Sequence, residues 1–115
     1  MQQLKDAIHN GHFILDLIAS DLDTAIEATV NKMVADGFLD KTVSEDARTA
    51  LLKHERLAPT TIGHGVAVPH VYLEGITTQD VVFVRLNHPL NMGAPDGIPT
   101  QFVFLLLGPP GAAAA

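Results

Sequence analysis

His70 closes the segment Thr61-Ile-Gly-His-Gly-Val-Ala-Val-Pro-His70, whose residue types and order point to chemistry. Its two glycines permit positive φ or a close approach by a partner's backbone. Pro69 fixes φ and removes an N–H, so His70 follows a residue that cannot complete a sheet ladder. Ligand sites of open α/β sheets gather at strand ends. A histidine there can act as a base, a metal ligand or a nucleophile.

Two other histidines, His54 and His64, raise the question of a metal site. The spacings of ten and six residues that lead from His54 through His64 to His70 match no common zinc motif, so we predict no metal site. His64 either faces the same pocket as His70 or is an exposed loop histidine. The remaining histidines are interpreted as surface or loop residues: His9, His12 and His88.

Composition restricts the class of protein. A chain of 115 residues is enough for one domain with a single core. The net charge of −6, without a cluster of Lys or Arg, argues against binding to nucleic acid. The absence of cysteine excludes disulfides, thiolate zinc sites and cysteine nucleophiles. No signal peptide is visible, and the longest apolar runs fall far short of the roughly 20 residues of a membrane helix. We therefore expect a soluble domain.

Two helices are predicted in the first half of the chain. The first covers roughly 22–36, with Ser20 or Asp21 as its N-cap, because apolar residues recur there at three- and four-residue spacing. Gly37 ends it. The second covers about 45–54, has Ser44 as its N-cap and packs through small and apolar residues, namely Ala47, Ala50 and Leu51. Before both, the apolar run 13–18 fits either a strand or a buried helical turn.

From residue 61 onward, short β-like runs alternate with Gly and Pro. We predict strands at Val66–Pro69, Val81–Leu86 and Gln101–Leu107. The last two are almost continuously apolar, which indicates burial on both faces of a sheet covered by helices. The stretch Asn87–Gly97 holds the turn signals between them, and its Asp96-Gly97 pair is interpreted as a plain turn. The predicted fold is an α/β sandwich: a mixed β-sheet flanked by helices.

The C-terminal segment follows a predicted buried strand and then stops. It reads Gly108-Pro-Pro-Gly-Ala-Ala-Ala-Ala115, and the four alanines fit the first turn of a covering helix. We therefore expect residues 1–115 to form one domain whose C-terminal part is missing.

A second set of residues, joined to the His70 segment, resembles a known family. Glu55-Arg-Leu57 followed by Thr60-Thr-Ile-Gly63 and Val66-Ala-Val-Pro-His70 is similar to the motif of the fructose/mannitol-type enzyme IIA domain of the bacterial sugar phosphotransferase system, which includes nitrogen-regulatory IIA domains. The resemblance extends from about residue 4 to the end of the chain. It includes Ala94-Pro-Asp-Gly97 and the strand at 102–107.

The resemblance implies a phosphoryl relay. In such domains the histidine after the proline, here His70, accepts a phosphoryl group from the phosphohistidine of a phosphocarrier protein and passes it to a IIB domain. A neutral imidazole is a competent nucleophile for this step. Because the incoming group is already activated, no cofactor is implied, and the chain has no Gly-rich Lys-Ser/Thr phosphate loop. The expected partners are proteins, and the expected location is the cytoplasm.

The sequence departs from the family's pattern at two positions. The family usually has an arginine before the Glu of the first motif, where it clamps phosphate; this chain has His54 there, with Arg56 two residues beyond. The residue after the active histidine is usually small, whereas here it is Val71, which we expect to narrow access. The resemblance thus makes His70 the carrier, with His54, His64 and Arg56 as candidate binding residues of the pocket. His54 is equally consistent with a helix-end histidine near the C-terminal end of the helix dipole.

These departures leave a second interpretation open. The chain could be a non-catalytic, IIA-like cytoplasmic domain that binds or regulates, attached to a membrane transporter. The cytoplasmic domains of bicarbonate and other anion transporters are similar to this fold and lack the relay. The intact Pro69-His70 pair favours the relay and therefore a phosphotransferase, whereas His54 and Val71 favour the alternative.

Overall fold

The computed structural model describes residues 12–111, so segment 4–9, His9 and the alanines after Gly111 lie outside the described residues. In chain order the elements are β1 (His12–Leu17), α1 (Leu22–Ala35), α2 (Lys41–Leu57), β2 (Thr61–Gly63), β3 (Val66–Ala67), β4 (His70–Tyr72), β5 (Asp80–Leu90) and β6 (Thr100–Gly108).

The strands form one mixed sheet of six strands in the order β1-β5-β6-β3-β2. Antiparallel β5 and β6 make its centre, and β1 lies parallel to β5 at one edge. Beyond β6, strands β3 and β4 follow one another along the same side of β6, both parallel to it. Strand β2 closes that edge antiparallel to β3. The α/β class, with a mixed sheet flanked by helices, is confirmed.

The core lies between the two helices and one face of the sheet. Antiparallel pairing places Val82 opposite Leu105 and Val84 opposite Val103, so these side chains share a face. They pack in one cluster with buried residues of α1 and α2, among them Ile26, Val30, Met33, Ala47 and Leu51. Burial of each Val, Leu, Ile or Met side chain stabilises the folded state by about 1.5 to 3 kcal/mol.

The opposite face of the sheet carries aromatic side chains. Phe83 lies at its centre, with ring centroids 6.0 Å from Phe13, 5.8 Å from Phe102 and 5.1 Å from Phe104. Burial along β5 and β6 largely alternates, and Phe13 is 66% exposed. Within residues 12–111, one face of β5 and β6 is therefore buried as expected, and the other face is half-buried. Both described helices pack on the buried face.

Of the two candidate caps for α1, Asp21 is the one that caps. Its carboxylate accepts a hydrogen bond from the Thr24 N–H at 2.8 Å. This backbone bond, together with one from the Thr24 hydroxyl, holds the Asp21 pKa below its usual value. Gly37, at φ +80, follows the helix as predicted. The predicted span of α1 is confirmed to within one residue at its C-terminal end.

Helix α2 begins earlier and ends later than the sequence indicated. Asp40 is its N-cap and accepts from the Thr42 N–H at 2.9 Å. Ser44, the predicted cap, lies inside the helix, where its hydroxyl donates to the Lys41 carbonyl at 2.8 Å. Serine can satisfy its hydroxyl in either position, which is why the pattern misled. Because α2 extends to Leu57, its final turn includes Glu55 and Arg56.

The strands also differ from the predictions in their bounds. The run 13–18 lies largely in a strand, β1, which ends at Leu17. Strand β5 continues past Leu86 to Leu90, into the stretch assigned to turns. The predicted strand Val66–Pro69 is instead interrupted: β3 stops at Ala67 and β4 begins at His70.

Leu51 and Leu57 offer a matched test of the core. Leu51 is fully buried beneath α2, whereas Leu57, in the same helix, is 75% exposed. We expect Leu51→Ala to lower the free energy of unfolding by about 2 to 5 kcal/mol, because it removes apolar contacts and leaves a cavity. Leu57→Ala should change it by no more than about 0.5 kcal/mol. Urea denaturation of both variants checks this, and equal effects would contradict the assignment of the core.

Candidate functional site

The site begins at the break between β3 and β4. Pro69 has no N–H to donate, and its carbonyl accepts from the Leu106 N–H of β6 at 2.9 Å. His70 then pairs opposite Leu106 and starts β4. Because successive side chains in a strand point to opposite faces, His70 is exposed while Val71 is only 2% exposed and belongs to the core.

Val71 therefore does not narrow access to His70. It packs in the cluster between the sheet and the helices, on the face away from the histidine. The residue that shares the face of His70 is Tyr72, whose ring centroid lies 6.3 Å from that of His70, tilted by 58°. The expectation for Val71 was wrong because it counted sequence neighbours without the alternation of a strand.

The His70 ring is oriented by a backbone carbonyl. Its Nδ1 lies 2.8 Å from the carbonyl oxygen of Val68. A carbonyl oxygen only accepts, so this contact assigns the hydrogen of the neutral ring to Nδ1. The other nitrogen, Nε2, then keeps its lone pair on an exposed side chain. This arrangement leaves Nε2 as the ring nitrogen whose lone pair could act as a nucleophile.

Val68 is itself held by a loop at the end of α2. Its N–H donates to the Thr60 carbonyl at 3.1 Å. The Thr60 N–H donates to Glu55 Oε2 at 3.2 Å, and the Thr60 hydroxyl donates to Oε1 of the same carboxylate. Glu55 is buried, at 8% exposure. A continuous set of hydrogen bonds thus links Glu55 to the ring of His70.

His64 occupies the turn of the β2–β3 hairpin. Gly63, His64 and Gly65 have φ of +93, +57 and +78. Positive φ at both residues of a two-residue loop is the type I′ geometry, which matches the twist of paired strands. His64 is exposed there. The glycine-rich spacing that drew attention in the sequence therefore serves a hairpin turn.

Asp96 fastens this turn to the loop before β6. Its Oδ2 accepts from the His64 N–H at 2.7 Å, and its Oδ1 accepts from the Ile98 N–H at 3.0 Å. The bond from the His64 backbone, then that from Ile98, holds the pKa of Asp96 below its ordinary value. The turn predicted at Asp96-Gly97 is present, with Gly97 at φ +72. The local sequence contains no signal for the long-range contact between Asp96 and His64.

The structure does not bring His64 together with His70. The carbonyl of Gly65 accepts from the Phe102 N–H, whereas His70 lies opposite Leu106. Four residues of β6 (106 − 102 = 4) separate the two positions, roughly 13 Å of strand. A binding role for His64 stays a prediction.

His54 and Arg56 lie on the last turn of α2, and both are exposed. Among residues 12–111, the acid nearest to Arg56 is Asp23 in the first turn of α1, with 4.0 Å between Nη2 of the arginine and Oδ2 of the aspartate. Within residues 12–111, neither side chain is joined to His70 by a hydrogen bond or ion pair. Their binding roles also stay predictions.

Glu55, Thr60 and Tyr72 are linked to His70 by hydrogen bonds through Val68 or by ring proximity, and sequence reasoning assigned a role to none of them. Glu55 and Thr60 belong to the motif that carried the resemblance. The signal in the sequence for their contact was an acidic residue five positions before a threonine. Among residues 12–111, no three His, Cys, Asp or Glu side chains are grouped so that they could hold a metal ion. No helix built from those residues is long and apolar enough to cross a membrane.

Comparison with known proteins identifies the family. The sequence model of the EIIA 2 family of the phosphoenolpyruvate-dependent sugar phosphotransferase system matches residues 6–113. The chain therefore belongs to this family.

Individual relatives agree with that assignment. The chain is 44% identical over 64 residues to a nitrogen regulatory protein of Bradyrhizobium diazoefficiens, a match that covers 56% of this chain and 42% of that protein. It is 31% identical over 85 residues to a fructose-specific EIIA component of Haloferax volcanii, which covers 74% and 54%. The chain is also 41% identical over 51 residues to the human sodium bicarbonate cotransporter 3. That match covers 44% of this chain and 4% of the cotransporter.

The structural comparison gives the same result. The nitrogen regulatory protein IIA-Ntr of Neisseria meningitidis superimposes with a TM-score of 0.77 at 29% identity, covering 90% of this chain and 68% of that chain. With the nitrogen regulatory proteins, the matched part of the chain spans only about two fifths of the relative's length.

Gly63→Ala tests the packing of the hairpin. A Cβ at Gly63 would lie 2.9 Å from Asp96 Oδ2, in addition to the strain of φ +93. We expect a loss of about 1 to 2 kcal/mol from the left-handed backbone alone, and a further loss from displacement of Asp96. Gly93→Ala is the control, because its φ is +70 and nothing lies within 4 Å of the added Cβ. Equal unfolding midpoints in urea would contradict the contact.

The Asp96 contact should also be visible in the pH dependence of stability. Because the folded state lowers the Asp96 pKa, the contact stabilises fully above the ordinary pKa and is lost as pH falls through the lowered one. Wild type should therefore exceed Asp96→Ala in stability near about pH 7, with the difference shrinking toward about pH 2. Urea denaturation across that range measures it. Asp46→Ala, at an exposed position without a hydrogen bond in the described structure, should show no such trend.

Proposed function

We propose that this chain is a phosphoryl carrier in which Nε2 of His70 accepts a phosphoryl group from the phosphohistidine of a phosphocarrier protein and passes it to a IIB domain. The observation that carries the proposal is the 2.8 Å contact between Nδ1 of His70 and the Val68 carbonyl. It leaves a nucleophilic nitrogen on an exposed histidine in a chain of the EIIA family.

The transfer requires little chemistry from the protein. The lone pair of Nε2 forms the new N–P bond, and the electron pair of the donor's N–P bond returns to the donor nitrogen. The His70 ring gains positive charge in this step, and the hydrogen bond from Nδ1–H to Val68 stabilises that charge. Transfer to the IIB domain is the same step in reverse at His70. Positioning and neutralisation of the phosphoryl oxygens remain as the protein's tasks.

The surroundings of His70 suit a protein donor. The side chain is exposed at the start of a short strand, so a phosphohistidine on another protein can approach it directly. The proposal assigns neutralisation of the phosphoryl oxygens to His54 and Arg56. Arg56 is free to take part, since an exposed ion pair at 4.0 Å contributes little. Exchange with such partners implies a cytoplasmic location.

A second candidate is a non-catalytic regulatory or binding domain. His54 stands where the family usually has its phosphate-clamping arginine, and this difference favours the non-catalytic candidate. The name of the Bradyrhizobium relative and the short match to a bicarbonate cotransporter are also in keeping with a regulatory or transporter-attached domain. In this case His70 would receive no phosphoryl group.

Phosphorylation assays separate the two. The chain is incubated with phosphoenolpyruvate, the upstream kinase enzyme and each of several phosphocarrier proteins, and its intact mass is measured. The relay predicts a gain of one phosphoryl group that is lost in acid and absent from His70→Ala. His88→Ala is the control, because it removes an exposed histidine to which no binding role is assigned. Absence of any gain with all carriers would favour the regulatory domain.

A further inference from the structure

We infer that Glu55 and Thr60 are positioning residues that hold His70 in the tautomer with its lone pair on Nε2. The inference deepens the proposed function and rests on it, since a fixed tautomer matters for a nucleophile. Neither residue contacts the reacting nitrogen. Their effect passes through the backbone of Val68, by hydrogen bonds of 3.1 Å and 2.8 Å.

The first step is the buried carboxylate of Glu55. A buried carboxylate is costly unless hydrogen bonds satisfy it. Within residues 12–111 its hydrogen-bond partners are the N–H and the hydroxyl of Thr60, one on each oxygen, and it makes no ion pair. Displacement of Thr60 would therefore leave both oxygens unsatisfied. Glu55, anchored in α2, fixes the position of Thr60 relative to the helix.

The second step joins Thr60 to Val68. The Thr60 carbonyl accepts a hydrogen bond from the Val68 N–H. This bond fixes the N-terminal side of Val68, the residue that precedes Pro69. A residue before proline is restricted to extended conformations. On the other side, the Pro69 carbonyl is held by Leu106. Val68 is thus constrained from both ends, and its carbonyl has a defined direction.

The third step is the bond from Nδ1 of His70 to that carbonyl. With the bond in place, the neutral ring carries its hydrogen on Nδ1. If Val68 moves, the ring loses the acceptor, and either nitrogen can carry the hydrogen. The nucleophilic lone pair would then be present on Nε2 for only part of the time. The acceptor that stabilises positive charge during transfer would be lost as well.

The experiment compares Thr60→Val, Thr60→Ser and Glu55→Gln with wild type. Two-bond ¹H–¹⁵N NMR spectra of the unphosphorylated chain, taken near pH 9 where histidine is neutral, report which nitrogen of His70 carries the hydrogen. We expect wild type and Thr60→Ser to show mainly the Nδ1–H form, because serine keeps the hydroxyl. Thr60→Val and Glu55→Gln should show a mixture, since each removes a donor or an acceptor from the pair.

The rate of phosphoryl transfer to His70 should follow the tautomer. We expect about a 10- to 100-fold loss in Thr60→Val, as for a reacting group misplaced by up to roughly 1 Å, and recovery in Thr60→Ser. Thr29→Val is the matched control. Thr29 is a buried threonine whose hydroxyl donates to the Ala25 carbonyl within α1, so its loss should lower stability without changing the His70 spectrum.

The two readouts separate this inference from the proposed function. An unchanged His70 tautomer in both Thr60→Val and Glu55→Gln would overturn the positioning role, whatever the transfer rates. A changed tautomer in these variants supports it even if wild type accepts no phosphoryl group, a result that would reject only the proposed function. If Glu55→Gln fails to fold, the Val and Ser variants at Thr60 decide the question.

Discussion

The missing N–H of Pro69 is the constraint on which the site depends. It interrupts the strand that runs along β6, so that β3 ends at Ala67 and β4 starts at His70. In the gap, the Val68 carbonyl accepts a hydrogen bond from Nδ1–H of the His70 ring, and the Pro69 carbonyl accepts one from the Leu106 N–H. The chain is therefore irregular for two residues and fixed on either side of them, and this orients the His70 side chain.

The sheet and helices convert that local feature into an exposed, supported histidine. Pairing of β4 with β6 alternates Val71 into the core and His70 outward. The core behind Val71 is shared with α2, whose last turn carries Glu55 toward the loop at Thr60. Burial of apolar side chains and orientation of the imidazole thus rely on the same helix. Loss of packing beneath α2 would disturb the histidine as well as the fold.

Membership of the EIIA family is physically compatible with His54, which stands where the family usually has an arginine. Transfer between two histidines starts from an activated phosphoryl group, so the acceptor mainly needs a free lone pair and a stable orientation. The backbone supplies both at His70. In the proposed transfer, a clamp for the phosphoryl oxygens is a separate contribution, which the proposal assigns to exposed side chains such as Arg56. The hairpin turn at His64 is held by Asp96.

The sequence by itself determined the family motif, helix α1, the central strands and His70 as the residue to examine. These are local signals: spacing, capping residues, glycine and proline. It misplaced the start of α2, because Asp40 and Ser44 can both satisfy a helix terminus. It also misjudged Val71 and had no means to connect Asp96 with His64 or Glu55 with the His70 ring. Only the tertiary structure decided these, because strand alternation and contacts between distant segments depend on which backbone groups meet once the sheet is assembled.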